Sequence, residues 1–115
     1  MKKIRSAVLG YGGMGFYHPD CIDQIDMLEV AGVYDIRQCR MDIAREKGIY
    51  TYSSLEEMLE DPTLELITVA TPNHTHKDLC IQCMRAGKNV ICEKPVAMNV
   101  QELEEMIATA RETSK

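Results

Sequence analysis

The sequence predicts a doubly wound α/β fold, in which helices cover both faces of a parallel β-sheet. Strand-sized apolar runs alternate with helix-length amphipathic stretches along all 115 residues. Their connections are short, with no linker, repeat or low-complexity segment. A glycine-rich turn directly follows the first apolar run, which is typical of the turn from strand to helix in a βαβ unit. We therefore expect one domain spanning residues 1–115.

The first elements follow from apolar runs bounded by glycine. Ile4–Leu9 is a strand-like run that stops at glycine, and a helix is predicted from about Met14 to Ile25. Leu28–Tyr34 is rich in valine and other aliphatic residues, which favours a second strand. Arg37–Lys47 is a helical stretch, and Gly48 stands where a left-handed glycine can end a helix.

The middle of the chain predicts two strands around a short helix. Ile49–Tyr52 is expected to form a third strand. Ser54 and Glu57 fit a capping box that opens a short helix, which Asp61-Pro62 would end. Leu64–Ala70 is then a nearly continuous apolar run, as expected of a strand buried on both faces.

The last third predicts a helix, a strand and a final helix. The first helix is expected at about Thr75–Ala86, with Gly87 at its end, and Asn89–Cys92 is predicted as the fifth strand. Asn99 can cap the final helix, with Glu102 three positions later. The apolar stripe expected to pack against the sheet comprises Val100, Leu103, Ile107 and Ala110.

Composition excludes several classes of partner. The net charge is −5 and the lysines and arginines form no block, which argues against a nucleic-acid or anionic-membrane partner. Apolar runs are strand-sized, and the N-terminal run is too short for the core of a signal peptide. We therefore predict a cytoplasmic protein with no membrane partner.

The five cysteines include one CxxC, at Cys80 and Cys83. A redox or metal role would need a second pair or an exposed helix N-terminus. Here the pair lies in the middle of a predicted helix, so buried, reduced thiols are favoured. His74 and His76 are two residues apart, which places them on different helix faces, and we predict no metal site.

The turn after the first strand is a GxGxxG motif spanning Gly10–Gly15. Gly10 would permit the tight turn, and Gly12 would let a pyrophosphate approach the backbone. Gly15 would let the helix pack close to the strand. The phosphates would then meet unpaired N–H groups at the positive end of a helix. The motif alone is a weak signal, but its position between a strand and a helix strengthens it.

Asp35 ends the second predicted strand, 20 residues after Gly15. A carboxylate there can accept hydrogen bonds from the adenosine ribose hydroxyls of a dinucleotide; alternatively, it caps the next helix from a surface turn. A carboxylate about 4 Å from a phosphate charge costs roughly 4 kcal/mol at an effective dielectric of 20, which favours NAD over NADP. Arg37 and Arg40 could offset this repulsion.

Polar residues follow two later strands, where an open α/β sheet binds its ligand. Thr71-Pro72-Asn73-His74-Thr75-His76 follows the fourth predicted strand, and Glu93-Lys94-Pro95 follows the fifth. The first segment could also be a loop in which Asn73 or Thr75 caps the helix. A lysine held in a cleft by a following proline can stabilise a developing alkoxide; alternatively, Glu93 and Lys94 form an ion pair that orders the strand end.

With these motifs assembled, the chain resembles the N-terminal dinucleotide-binding domain of the glucose–fructose oxidoreductase/inositol dehydrogenase/MocA family. The resemblance runs through essentially all 115 residues, and Glu93-Lys94-Pro95 is its most distinctive part. It implies a Rossmann fold, an NAD cofactor and hydride transfer to or from a sugar or polyol. It also implies a second, substrate-binding domain that this sequence does not include.

The resemblance implies a role for each matching position. Gly12, Met14 and Gly15 would hold the pyrophosphate, and Asp35 would bind the adenosine ribose. Gly10, Gly13, Ile36 and Arg37 are further predicted cofactor-binding residues. Thr71, Pro72, Asn73 and His76 would line the cleft towards the nicotinamide. Glu93, Lys94 and Pro95 would lie near the nicotinamide ribose, with Lys94 the catalytic residue and the Lys–Pro bond often cis.

Without the second domain, we expect the isolated chain to bind NAD but to turn over slowly or not at all. Surface left by that domain, including Val96 and Met98, would favour weak self-association. Two alternatives are a non-catalytic NAD(P)-binding sensor and an interaction domain whose glycine turn binds nothing.

Overall fold

The computed structural model of the chain describes residues 3–12, 18–93 and 97–115. The predicted start of the first helix near Met14 lies outside the described residues.

The described residues form four parallel strands in one sheet. They are β1 (Ile4–Leu9), β2 (Leu28–Tyr34), β3 (Leu66–Val69) and β4 (Asn89–Cys92), in the spatial order β2-β1-β3-β4. The chain therefore adds β2 on one side of β1 and then crosses to add β3 on the other side. The predicted doubly wound α/β fold is confirmed, and its crossover point lies between β1 and β3.

Two strand predictions need correction. Ile49–Tyr52 is not a strand, because only a single bridge forms, between Thr51 and Val33. The bridge consists of a Val33 N–H bond to the Tyr50 carbonyl and a Tyr52 N–H bond to the Val33 carbonyl, whereas the Ile49 N–H donates to the Ala44 carbonyl at the end of the preceding helix. β3 is shorter than the predicted Leu64–Ala70, because its pairing with β4 runs only from Leu66 to Val69.

The described residues also form five α-helices and one 3₁₀ turn. The helices are α1 (His18–Asp23), α2 (Gln38–Glu46), α3 (Leu55–Glu60), α4 (His76–Arg85) and α5 (Val100–Thr113), and the 3₁₀ turn is Asn73–Thr75. α2 and α4 end at the predicted glycines, Gly48 and Gly87, whose φ angles of +79° and +85° are left-handed.

Both predicted capping pairs are present. The Ser54 hydroxyl oxygen accepts a hydrogen bond from the Glu57 N–H at 3.0 Å, and the Asn99 side chain accepts one from the Glu102 N–H at 2.8 Å. The Glu57 carboxylate accepts from the N–H of Ser53, one residue before the predicted partner. These bonds fix where α3 and α5 begin.

The buried face of α5 differs from the predicted stripe. Ala110 packs against the core as predicted, and Met106 and Thr109 are buried, whereas Val100, Leu103 and Ile107 are 70%, 40% and 42% exposed. α5 packs against α4, and Thr109 can be buried because its hydroxyl donates to the Glu105 carbonyl within the helix. Periodicity alone did not distinguish this face from the more apolar one.

Apolar clusters cover both faces of the sheet. In β1, Ala7 and Leu9 belong to a cluster with residues of α3, α4 and α5, whereas Val8 belongs to a cluster with residues of α1 and α2. This alternation follows from the period of two in a strand. Because helices cover both faces, the carboxyl-end edge of the strands is where a ligand can reach the sheet.

Candidate functional site

A cleft of about 780 Å³ opens at the carboxyl ends of β1, β2 and β3. This is the crossover point of the sheet, where open α/β folds bind ligands, because the connections leave the sheet in opposite directions there. Its lining residues are Leu9, Gly10, Tyr34, Asp35, Ile36, Arg37, Leu55, Glu56, Ala70, Thr71, Pro72, His74, Thr75, Asp78 and Leu79.

Gly10 forms the floor of the cleft at the end of β1. Its φ of +96° is left-handed, and a Cβ there would lie 2.8 Å from the carbonyl carbon and oxygen of Ala70. Its N–H donates to the Tyr34 carbonyl at 2.7 Å. The turn after β1 is thus held between the ends of β2 and β3, and only glycine fits it without strain.

Asp35 lies at the end of β2 with its side chain only 5% exposed. Oδ2 accepts from the N–H of Tyr11 at 2.9 Å and from Nη2 of Arg37 at 3.0 Å. Oδ1 accepts from the N–H and the Nε of Arg37, at 2.8 and 3.0 Å. The acid predicted to bind the ribose is therefore joined directly to the glycine turn.

The charge of Asp35 is stabilised by this network. Burial by itself would raise the pKa of the carboxyl group, but the hydrogen bonds from Arg37 and Tyr11 and the positive charge of Arg37 outweigh burial and lower it. The same bond raises the pKa of Arg37. Asp35 is therefore an ionised acceptor at neutral pH, as a partner for ribose hydroxyls must be.

The two arginines considered for a 2′-phosphate lie differently. The Arg37 guanidinium lies over the glycine turn, where a Cβ on Gly12 would overlap its Nη2 atom. Arg40 donates from Nε to the Tyr11 carbonyl at 2.7 Å, and its guanidinium lies 5.9 Å from the centre of the Tyr11 ring. Arg40 thus supports the turn, and Arg37 faces the cleft.

The segment after β3 forms one wall of the cleft. Thr71 and Pro72 line it, and Asn73 begins the 3₁₀ turn. Neither Asn73 nor Thr75 caps a helix with its side chain; instead, the Thr75 hydroxyl donates to the Pro72 carbonyl and bonds the Thr71 hydroxyl. His76 is buried, and its Nε2 atom lies 2.8 Å from the Thr71 carbonyl oxygen, which fixes this wall from behind.

Glu93 follows β4 and contacts a residue from the other side of the site. Its backbone N–H donates to the Val69 carbonyl at 3.0 Å, which continues the strand pairing. Its Oε1 atom lies 2.5 Å from Nε2 of His18, in the first turn of α1. The first turn of α1 and the residue that follows β4 are thereby joined.

Five predicted site residues lie outside the described residues: Gly13, Met14, Gly15, Lys94 and Pro95. The expected cis bond before Pro95 lies outside them as well. Their roles remain predictions from the sequence.

The CxxC cysteines lie in the middle of α4, as predicted, and both are buried. Burial raises the pKa of the Cys83 thiol to about 12 and also raises that of Cys80. Both thiols are therefore protonated at neutral pH and unreactive. Within residues 3–12, 18–93 and 97–115, no group of three or more His, Cys, Asp or Glu side chains could hold a metal ion.

Sequence reasoning missed several residues of the site. His18 was not singled out, because no spacing pattern connects residues 75 positions apart. Leu55 and Glu56 of α3, with Asp78 and Leu79 of α4, line the cleft but carry no motif. One available signal was the position of His18 three residues after the last glycine of the motif, in the first turns of a helix.

A family model described as "Oxidoreductase family, NAD-binding Rossmann fold" matches residues 4–115. Among curated proteins, the myo-inositol 2-dehydrogenase of Thermotoga maritima is 33% identical over 106 residues. The match covers 90% of this chain and 32% of that enzyme. The chain thus spans about a third of the length of this relative.

Solved structures contain the same domain. An NAD-binding protein from Listeria innocua superposes with a TM-score of 0.96 at 41% identity, covering 99% of this chain and 34% of that one. The WlbA dehydrogenase of Bordetella pertussis, solved with NADH and UDP-GlcNAcA, gives a TM-score of 0.92 at 28% identity, with coverage of 99% and 35%. Among the described residues, no helix is long and apolar enough to cross a membrane.

Proposed function

The chain belongs to the glucose–fructose oxidoreductase/inositol dehydrogenase/MocA oxidoreductase family as its NAD-binding Rossmann domain, and we propose that it positions NAD for hydride exchange with a secondary alcohol of a sugar, polyol or related substrate. The observation that carries the proposal is the bond between Asp35 and the glycine turn at the crossover point of the sheet. That bond joins a phosphate-binding turn and a ribose-binding acid in one cleft.

The path of the dinucleotide follows from this geometry. The adenosine ribose would lie against Asp35, and the pyrophosphate would cross the turn at Gly12, where the absence of a Cβ allows close approach to the backbone. The nicotinamide half would extend past Thr71 and Pro72 towards Glu93. The His18–Glu93 contact would hold the end of β4 in place beneath the nicotinamide ribose.

NAD supplies the chemistry, as the acceptor or donor of the hydride, and this domain orients it. In the oxidation direction, the substrate C–H would lose a hydride and its hydroxyl would lose a proton to a base in a second domain of a longer protein. Lys94 would stabilise the developing alkoxide. Relatives named as inositol and sugar dehydrogenases support this substrate class.

In a longer protein that contains the second domain, replacing Lys94 by alanine tests its catalytic role. We expect kcat to fall far more than the affinity for NAD, because the lysine acts on the reacting carbon and not on the adenosine half. An unchanged kcat would refute the catalytic role of Lys94, whereas a longer protein that binds NAD without turnover and is unaffected by the substitution would favour a dinucleotide sensor. For the isolated chain, we expect NAD binding without appreciable dehydrogenase turnover, and robust turnover would contradict the proposal.

Titration calorimetry with NAD tests the binding site. We expect Asp35→Asn to weaken NAD binding by about tenfold or more, since a hydrogen bond to a charged group contributes roughly 1.5–3 kcal/mol. Asp42→Asn is the matched control, because Asp42 is an exposed carboxylate on α2 outside the cleft. A chain that binds no dinucleotide, or equal losses in both variants, would count against the assigned site.

We also propose weak self-association and a cytoplasmic location. Ile91 and Met98 are 50% and 57% exposed, and α5 also exposes apolar side chains. All five cysteines are free, as is typical of a reducing compartment. Light scattering over a range of concentrations tests the first proposal, and a strictly monomeric chain would refute it.

A further inference from the structure

His18 and Glu93 join two segments that belong to different parts of the sheet. Through Ile22, α1 packs with the cluster that contains residues of β1 and β2. Glu93 follows β4, which lies two strand positions from β1 and three from β2. Because neighbouring strands are about 4.8 Å apart, the contact spans the position of β3, whose chain continues into the cleft wall at Thr71.

The contact engages only one oxygen of the Glu93 carboxylate. Nε2 of His18 lies 2.5 Å from Oε1, and Nε2 is the donor because an ionised carboxylate only accepts. No residue in the described part of the chain donates to Oε2. The Glu93 backbone is held separately, since its N–H donates to the Val69 carbonyl. Oε2 is thus left as an acceptor on a side chain whose backbone and other oxygen are both fixed.

The exposure of the pair allows a ligand to reach the free oxygen. The side chains of His18 and Glu93 are 23% and 27% exposed, so the pair is neither sealed in the core nor surrounded by water. A carboxylate that rotates freely loses conformational entropy when a ligand orders it, and this loss weakens binding. Because His18 holds Glu93 beforehand, Oε2 can accept a hydrogen bond without that loss.

We propose that His18 is a positioning residue for the nicotinamide half of the cofactor: it orients Glu93 so that Oε2 accepts a hydrogen bond from the nicotinamide ribose. Each ribose of the dinucleotide then meets an acid held by a side-chain donor, which is Arg37 at Asp35 and His18 at Glu93. His18 acts through Glu93 and not on the reacting atoms. This inference rests on the proposed function, because it assumes that the nicotinamide ribose reaches Glu93.

Dissociation constants for NAD, ADP-ribose and ADP, measured by calorimetry on the full chain, test the proposal. ADP ends at the pyrophosphate, ADP-ribose adds the second ribose, and NAD adds the nicotinamide as well. We expect His18→Ala to weaken NAD and ADP-ribose binding by about tenfold and to change ADP binding by less than about twofold, because the lost orientation affects only the second ribose. His18→Gln keeps an N–H donor and should keep most of the affinity for NAD. Circular dichroism confirms that each variant is folded.

Two comparisons separate positioning of the ribose from a general effect on the fold. In a Glu93→Ala background, His18→Ala should cause no further loss of NAD affinity, because His18 acts through the missing carboxylate. Arg85→Ala is the matched control, since Arg85 of α4 pairs with Glu112 of α5 at 3.3 Å and thus links two elements outside the cleft. This control should leave all three dissociation constants unchanged.

Three results would overturn the role of His18. They are an unchanged ratio of the NAD to the ADP constant in His18→Ala, equal weakening of NAD and ADP in that variant, and a His18→Gln variant that binds NAD as weakly as His18→Ala. With NAD still bound by the unsubstituted chain, each of these results leaves the proposed function standing. If the unsubstituted chain binds none of the three ligands, the proposed function fails together with this inference.

Discussion

Replacing Gly10 by alanine should destabilise the fold for two reasons: the strained backbone angle and the overlap of the new Cβ with its neighbours. The left-handed φ of +96° costs an alanine about 1–2 kcal/mol. In addition, the new Cβ would lie 2.8 Å from backbone atoms of Ala70 and 2.9 Å from Cγ2 of Thr71. Overpacking of this kind costs about 1–3 kcal/mol.

Relaxation of this overlap is restricted on both sides. The Gly10 N–H is bonded to the Tyr34 carbonyl, and the Ala70 N–H is bonded to the Leu9 carbonyl. The alanine also restricts the unfolded chain, which returns about 0.4–1 kcal/mol. We therefore expect the free energy of unfolding to fall by about 2–4 kcal/mol in Gly10→Ala, as measured by urea unfolding followed by circular dichroism.

Gly48→Ala and Gly87→Ala provide the comparison. Both glycines have left-handed φ angles, of +79° and +85°, but a Cβ at either would have no neighbour within 4 Å. The free energy of unfolding of these variants should fall by only about 1 kcal/mol, because the alanine adds backbone strain but no steric overlap. An equal fall in the free energy of unfolding in all three variants would refute the close approach of Gly10, after β1, to Ala70, after β3.

Three further changes have expected outcomes. Ser6→Ala should leave the free energy of unfolding within about 1 kcal/mol of the original or raise it, because the buried Ser6 hydroxyl has no hydrogen-bond partner among the described residues; a larger loss in urea unfolding would contradict this. The lowered pKa of Asp35 contributes stability above the unfolded value of 3.8, and this contribution disappears as the pH falls through the folded pKa. In Asp35→Asn, the free energy of unfolding should therefore fall less steeply between about pH 5 and pH 2 than in the original chain, and an unchanged slope would refute this prediction. Iodoacetamide at about pH 8 should label exposed Cys21 but not buried Cys83 in the folded chain, as read by mass spectrometry; equal labelling would show that the thiol is accessible.

Most element boundaries could be predicted, because local patterns set them. The predicted strands Ile4–Leu9, Leu28–Tyr34 and Asn89–Cys92 match the structure residue for residue. Each strand is mainly apolar, and Gly10 and Asp35 directly follow the first two. The error at Ile49–Tyr52 arose because its composition favours a strand, whereas the Ile49 N–H bonds the end of the preceding helix and only Thr51 pairs with β2.

The candidate site was predictable only in part. Gly10 and Asp35 carried sequence signals, and the structure joins their segments through the Tyr11 N–H. The sequence indicated that the charge of Arg37 lies near Asp35, but not that the two side chains bond each other directly. The partnership of His18 with Glu93 gave no signal, because it depends on bringing α1 close to the end of β4.

The sequence by itself determined the order of the observed strands and helices along the chain and the residues that cap the helices. It also placed a glycine turn after the first strand and an acid after the second. These depend on interactions among residues close in the chain. Only the tertiary structure decided that β1 lies between β2 and β3, that the Arg37 guanidinium bonds the Asp35 carboxylate, and that α5 buries Met106 and Thr109 in place of its more apolar face. Such outcomes depend on the order and register of the sheet and on the packing of one helix against another, which residues distant in sequence set together.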